Sequence, residues 1–383
     1  MQQFHKTVNR RGTHSVKWDT YKNEELLHAW IADMDFPIPE PIQSALQKRL
    51  GHPIFGYTMP PEEITDIICR WTKSAYNWDI KEEWIVFSSG IVPALSTSVQ
   101  AFTTENDAVL VQPPIYPPFF DMITKNNRHV WESPLLLQGG TYTMDFEHLE
   151  TQFQQGVKLM FLCSPHNPVG RVWTKDELTK LGMLCEQYNV TVISDEIHAD
   201  LIFSGHTHTP FASLSKQLAA RTITCMAPSK TFNIAGLQAS IIIIPDKKLR
   251  HAFTSVQHRQ GFHGLNTFAY VAMQSAYTEC NDWLVEMRLY IEENARFACE
   301  FIKQHIPTLS VIQSEGTFLL WVDCSRLDLS QKERTKQLEE NGKIIVEPGE
   351  KYGAGGEQHI RINIGCSRRQ LEEILHRLKC VFS

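Results

Sequence analysis

Lys230 stands in the run Ala227-Pro228-Ser229-Lys230-Thr231-Phe232-Asn233-Ile234-Ala235-Gly236-Leu237, among small residues that leave its amine open to a large partner. Upstream lie Asn167-Pro168-Val169-Gly170 and Asp195-Glu196-Ile197-His198, each following an apolar run. An amide, a carboxylate and an amine presented at strand ends are what pyridoxal phosphate requires. The amine forms the Schiff base, the carboxylate holds the ring nitrogen protonated, and the amide hydrogen-bonds the phenolate oxygen. A lysine held at a strand end in partly apolar surroundings is also easily deprotonated, as a proton-shuttling amine must be.

Each of these residues has a plainer explanation as well. Asp195 ends Val192-Ile193-Ser194 and reads equally as a helix N-cap, although capping and ligand contact coexist at the C-terminal edge of a parallel sheet. A buried carboxylate opposite a pyridinium favours the charged ring. His198 is expected on the same helical face as Asp195, within reach of that carboxylate or of the phenolate oxygen, or else as ordinary polar cover. Asn167 sits in a turn fixed by Pro165, Pro168 and Gly170. Ser88-Ser89-Gly90-Ile91-Val92-Pro93 follows a strand and opens a helix, so the Gly90, Ile91 and Val92 backbone can approach an anion such as phosphate.

Tyr116, in Pro113-Pro114-Ile115-Tyr116-Pro117-Pro118, is either a ring stacked on a cofactor or a packed surface tyrosine. Arg361 lies in His359-Ile360-Arg361-Ile362-Asn363-Ile364, where the isoleucines face one way and Arg361 and Asn363 the other. A guanidinium there clamps a substrate carboxylate or decorates a solvated strand face. Two tempting runs are read as bland. His206-Thr207-His208 has no acidic or cysteine cluster beside it to complete a metal site and is taken as a loop. Gly353-Ala354-Gly355-Gly356 lacks the Lys-Ser/Thr of a phosphate loop and is taken as a flexible turn near the active site.

These residues need a scaffold, and 383 residues are long for one core, so two domains are expected. Strand-like runs at Trp84–Phe87, Ala108–Gln112, Leu159–Leu162, Val190–Ser194, Thr222–Cys225 and Ala239–Ile244 alternate with helical patterns at Pro93–Phe102, Lys175–Tyr188, Asp246–His258 and Thr267–Tyr277. That alternation predicts an α/β fold with a mostly parallel sheet covered on both faces. A long amphipathic helix from Asn281 to about His305 connects to a smaller α+β unit. Its strands are expected near Ser310–Gln313, Phe318–Val322, Lys343–Val346 and His359–Ile364, and its helices at Gln331–Glu339 and Arg368–Leu378. The division expected is 1–45 as an N-terminal segment packing on the small domain, 46–280 as the large domain, and 281–383 as the small domain. Charge is balanced, 37 Lys+Arg against 43 Asp+Glu for a net −6, which points away from nucleic acid and from anionic membrane surfaces. No run is long and apolar enough to span a bilayer. Nine cysteines without a C-x-x-C pair suit a reduced, cytoplasmic protein.

Together, Asn167-Pro168, Asp195-x-x-His198, Ser229-Lys230 and Arg361 resemble the fold-type I pyridoxal-phosphate enzymes, the aspartate aminotransferase superfamily. The further runs Trp30-Ile31-Ala32-Asp33-Met34-Asp35-Phe36, Ile54-Phe55-Gly56-Tyr57, Ser194–His198, Pro228–Leu237 and Glu347-Pro348-Gly349-x-x-Tyr352-Gly353 look like the MalY/PatB group of cystathionine β-lyases, or C–S lyases. The resemblance implies a seven-stranded large-domain sheet and a homodimer with active sites shared at the subunit interface. It also implies a Schiff base on Lys230, Tyr116 stacked on the ring, Asp195 on the pyridine nitrogen, Asn167 near the phenolate oxygen, and Arg361 on the substrate carboxylate. Tyr57 would reach the phosphate of the neighbouring subunit's cofactor. Ala227 and Gln238 depart from the broader pattern, where a serine and an arginine commonly bind phosphate, and His198 replaces a common tyrosine. More of the phosphate then falls to Ser229 and the Ile91 and Val92 backbone. The activity implied is α,β-elimination from cystathionine or cysteine-type thioethers to a thiol, pyruvate and ammonia. An aminotransferase shares the early proton abstraction and stays open as an alternative, as does a regulatory binding protein that keeps the fold.

Overall fold

The structure is a computed structural model that describes residues 2–383. Its largest sheet has seven strands, ordered Ile85–Ser88, Ser240–Ile243, Thr222–Met226, Thr191–Asp195, Leu159–Cys163, Ala108–Val111 and His129–Glu132. Only Ser240–Ile243 runs antiparallel to its neighbours; the other pairings are parallel. Five of the six expected runs form the middle of this sheet, where strands buried on both faces need no polar alternation, and the sixth, Trp84–Phe87, falls on the edge strand Ile85–Ser88.

The two-residue period of a strand divides those side chains between two layers. Val109, Val111, Phe161 and Ile193 meet Ala94, Leu95 and Val99 of the helix Ile91–Phe102, and Phe253 of the helix Lys247–Arg259. Leu110, Met160, Leu162 and Val192 point the other way, onto Leu178, Leu181 and Cys185 of the helix Lys175–Gln187. That helix opens with a full capping box, Thr174 and Glu177 each bonding the other's backbone N–H, which fixes where the chain leaves the Asn167 turn.

A second, five-stranded sheet has the order Leu27–Ala29, Ile344–Pro348, His359–Asn363, Leu319–Asp323, Ser310–Val311. The helix Asn281–His305 lays Leu284, Met287, Ile291, Ala295, Ala298 and Ile302 on its apolar face, beside Leu320, Val322, Ile360 and Ile362. The N-terminal region joins this sheet through Leu27–Ala29, which pairs in parallel with Ile344–Val346. The helix Glu40–Leu50 runs across the expected 45/46 division. Among the described residues no helix is long and apolar enough to cross a membrane.

Several elements differ from expectation. The edge strand His129–Glu132 has only Val130 and Trp131 between a histidine and a glutamate, too short an apolar stretch to mark a strand. The helices Glu40–Leu50, Pro118–Thr124 and Phe146–Gln154 were not marked by the sequence pattern, nor was Ile64–Tyr76, although Ile64, Ile67, Ile68 and Thr72 recur there at helical spacing. The 353–356 turn is packed rather than flexible. A Cβ on Gly353 would lie 2.6 Å from the Phe120 ring, and one on Gly349 would lie 2.1 Å from the Gly356 carbonyl oxygen. Tyr352 O accepts the Ile115 N–H at 2.8 Å, so this turn braces the Tyr116 loop.

Candidate active site

The C-terminal ends of the parallel strands open into one cleft, where ligands bind in open α/β sheets. It is lined by Ser89, Gly90, Ile91, Val92, Tyr116, Asn167, Asp195, His198, Ser229 and Lys230. The sequence-predicted residues Gly90, Ile91, Val92, Tyr116, Asn167, Asp195, His198, Ser229 and Lys230 therefore share one cavity. Arg361 stands beside it, its Nη1 donating to Asn167 Oδ1 at 3.1 Å. Tyr57 does not join them. It is fully exposed in a segment without helix or strand.

Lys230 is carried on the short helical turn Pro228–Thr231, which begins directly after the strand Thr222–Met226. Its Nζ donates to the Ala32 carbonyl oxygen. Burial brings the amine down to about 8; Asp33 opposes that shift, Arg361 adds to it, and Asp195 opposes it. Asp195 is 3 % exposed, and among the described residues its carboxylate accepts one hydrogen bond, from the Ile197 N–H at 3.2 Å. Burial pushes this carboxyl up to about 7; neighbouring Glu196 adds to the shift, while the Ile197 N–H and Lys230 hold it back. A buried carboxylate so thinly bonded asks for a cationic donor. Burial raises the Tyr116 phenol to about 12, and Asp195 contributes, so it remains a neutral donor.

Asn167 is held by its turn: its backbone N–H meets Cys163 Sγ at 3.4 Å, and its Oδ1 is taken by Arg361. Only its Nδ2 donors are then left to face the cleft. Arg361 is 4 % exposed, so a solvated strand face is ruled out. Its Nη2 donates to Trp30 O at 2.7 Å, and its buried Nε has no partner among the described residues. The unused Nε and the free Asn167 donors suit a carboxylate and a phenolate oxygen.

At the other end, the helix Ile91–Phe102 begins at Gly90, and its first backbone N–H groups line the cleft beside Ser229. That is an anion cradle of the phosphate-binding kind. Gln238, Ser89 and Ser240 also line the cleft. Gln238, which in sequence stands out only where relatives carry an arginine, is itself part of the cavity lining.

Two expectations need correction. His198 does not share a helical face with Asp195, because residues 197–200 form a turn rather than a helix. Its ring packs edge-on against Phe318 at 5.9 Å, its Nδ1 has no partner among the described residues, and burial with Lys230 and Arg361 nearby lowers it to about 3. His208 lies in a loop as expected but is not idle. It is buried, with its Nε2 2.8 Å from Glu196 Oε2, and Glu196 also accepts from Ser194 Oγ and the Phe211 N–H. Nothing near His208 in the chain signals that pair, because the partners meet only through the fold.

Residues 31–378 match the family model described as aminotransferase class I and II. The chain belongs to that family. It is 48% identical to cystathionine β-lyase PatB of Bacillus subtilis (strain 168), over 99% of this chain and 100% of that one. It is 31% identical to protein MalY of Escherichia coli (strain K12), over 97% and 96% of the two chains. Among solved structures, the PLP-bound C–S lyase from Staphylococcus hominis complexed with L-cycloserine superposes with a TM-score of 0.93 at 34% identity, covering 99% of this chain and 98% of that one. The family match spans the seven-stranded sheet and all of the second sheet but Leu27–Ala29, so the cleft and the Arg361 strand both fall within it.

Proposed function

We propose that the chain is a pyridoxal 5′-phosphate-dependent carbon–sulfur β-lyase, acting on cystathionine or cysteine-type thioether amino acids. The observation that carries this reading is the meeting of Lys230, Asp195, Asn167 and Arg361 around one cleft, in a chain 48% identical to PatB over its full length. Pyridoxal phosphate, bound there, supplies an electron sink for the pair left when a proton leaves the substrate Cα. The rest is done by this chain. Lys230 holds the cofactor and then, as a neutral amine, takes the Cα proton. Asp195 keeps a proton at the ring nitrogen, Asn167 donates to the phenolic oxygen, and the Tyr116 ring packs on the heterocycle. Ser229 and the Gly90, Ile91 and Val92 backbone hold the phosphate, with Gln238 adding an amide donor. Arg361 takes the substrate carboxylate through its free Nε face. The substrate's thiolate departs from Cβ, and the overall reaction consumes water to give a thiol, pyruvate and ammonia.

We also propose a homodimer in the cytoplasm. Ile54, Phe55, Tyr57 and Met59 are exposed together, a patch suited to a second copy of the chain, and in that copy Tyr57 would reach the phosphate. The nine cysteines are free, as suits a reducing compartment. The deciding test adds cystathionine to purified protein and measures the visible absorption band, thiol and pyruvate. A band that borohydride bleaches, with thiol and pyruvate released without a keto-acid acceptor, is expected. Product that appears only when an acceptor is added would instead indicate an aminotransferase.

A further inference from the structure

Residues 30–36 belong to neither sheet, yet their backbone groups are held by side chains from distant parts of the molecule. Trp30 O accepts from Arg361 Nη2 at 2.7 Å, and Ala32 O accepts from Lys230 Nζ. Between and beyond these, Ile31 O and Asp33 O each accept from Asn363 Nδ2 at 2.6 Å. Met34 O and Phe36 O accept from Asn233 Nδ2 at 2.9 and 2.8 Å, while Asn233 Oδ1 accepts the Met34 N–H at 3.1 Å. Backbone groups outside a ladder need such partners when they leave water. The consequence here is geometric, because one segment touches both the amine and the guanidinium.

The segment is anchored from below. Asp35 is buried and accepts from Arg10 at 2.7 Å, Lys17 at 2.8 Å, and Trp18 and Gln370 at 2.9 Å each. On the side of Lys230, the carboxamide fastening it is that of Asn233, three residues further along the same turn. Asn233 has φ 59°, a left-handed conformation that asparagine tolerates better than most residues. Its side chain offers two donors and one acceptor, and all three are used.

We propose that Asn233 is a positioning residue for the reaction. Its carboxamide pins the Trp30–Phe36 segment to the turn that carries Lys230, and so fixes the separation between the Lys230 amine and the Arg361 guanidinium. Those two groups must reach adjacent atoms of one amino acid, the Cα hydrogen and the carboxylate. The inference rests on the lyase reading for its substrate, but the placement of the amine is testable without it.

The test uses Asn233→Gly, which keeps the left-handed backbone and removes the clamp, and Asn233→Asp, which keeps shape and acceptor and removes both donors. In cofactor-free protein, Lys230 is labelled with trace acetic anhydride across pH and read by mass spectrometry. Wild type is expected to titrate near 8 and Asn233→Gly at higher pH, as the loosened segment lets water reach the amine; Asn233→Asp, whose carboxylate raises the amine by charge alone, is read through kcat and KM. In the loaded enzyme both variants are expected to lose about 10- to 100-fold in kcat and to raise KM for a β-thioether amino acid, the signature of displaced groups. A purely structural asparagine would lower the yield of folded protein and leave the Lys230 midpoint and KM alone. Variants within about twofold of wild type in KM, with an unmoved Lys230 midpoint in Asn233→Gly, overturn the proposal, as does failure of both to fold. If wild type releases no thiol or pyruvate, the lyase reading fails, while the labelling comparison still decides whether Asn233 places the amine.

Discussion

Asp195, Asn167 and Arg361 are 3 %, 5 % and 4 % exposed, polar groups sunk on or just beyond strands of two sheets. Ile54, Phe55, Tyr57 and Met59 are the reverse: apolar or aromatic side chains 51 % to 112 % exposed on a segment with no ladder or helix. Both arrangements are costly in a lone chain, for opposite reasons. Buried polar groups need partners, and clustered exposed apolar groups need cover. On the proposed reading, the partner at the first is a charged, aromatic small molecule, and at the second it is a second copy of the chain. Mutations should therefore divide by region, with chemistry lost at the cleft and assembly lost at the segment.

The sharpest cut is Lys230→Ala, which on the proposed mechanism removes both the covalent tether and the base. Pyruvate release should fall by about 10³-fold or more, with circular dichroism unchanged. If the variant kept wild-type turnover, the cleft would not be where the chemistry occurs. Asp195→Asn should cost about 10²-fold in kcat, because an amide cannot balance a protonated ring nitrogen.

The same Asp195 substitution has the opposite effect on the cofactor-free chain. The folded carboxyl titrates near 7, above its ordinary 3.8. Between those values the native state holds the proton that the unfolded chain has lost, so this group's stabilising contribution is present below about 4 and disappears as pH rises through about 7. The asparagine variant lacks that slope. In urea melts without cofactor its advantage over wild type should be larger at about pH 8 than at about pH 4. An advantage that did not grow with pH would mean that the buried carboxyl carries no charge penalty.

Arg361→Lys should fall next in size, with KM raised roughly tenfold and kcat changed less, since lysine replaces a fixed fork with a single ammonium. It also removes the donor that orients Asn167, so a change in the cofactor's absorption band should accompany the rise in KM. A variant with altered KM and an unaltered band would separate substrate capture from Asn167 placement.

How much of this is visible in the chain depends on whether local sequence sets the geometry. The central strands are legible because being buried on both faces makes them largely apolar runs, as in Leu159–Cys163 and Ala108–Val111. Lys230, Asp195 and Asn167 are legible because each ends such a run. The edge strand His129–Glu132 is not, since an edge faces water and carries polar residues. Arg361 and His198 are readable as residues but not as environments: the burial of Arg361 comes from Trp30 and Asn167, far away in sequence. The His208–Glu196 pair and the Asn233 clamp lie at the same limit, because their partners meet only once the loops close. Tyr57 is legible only through family likeness, and one folded chain leaves it exposed.

That exposure makes Tyr57 the finest test of the comparison. If its hydroxyl reaches the cofactor phosphate of a second copy, Tyr57→Phe removes one hydrogen bond to a charged group, so cofactor retention on dialysis should weaken about tenfold while the dimer persists. Ile54→Asp acts on the cover instead of the bond: a carboxylate placed in an apolar contact should shift the protein toward monomer in sedimentation and lower cofactor retention with it. The two outcomes must differ in assembly and agree in direction on cofactor. If Ile54→Asp leaves both the sedimentation coefficient and cofactor retention unchanged, the exposed segment is not an interface. The phosphate would then be held by the Gly90–Val92 backbone, Ser229 and Gln238 of one chain alone.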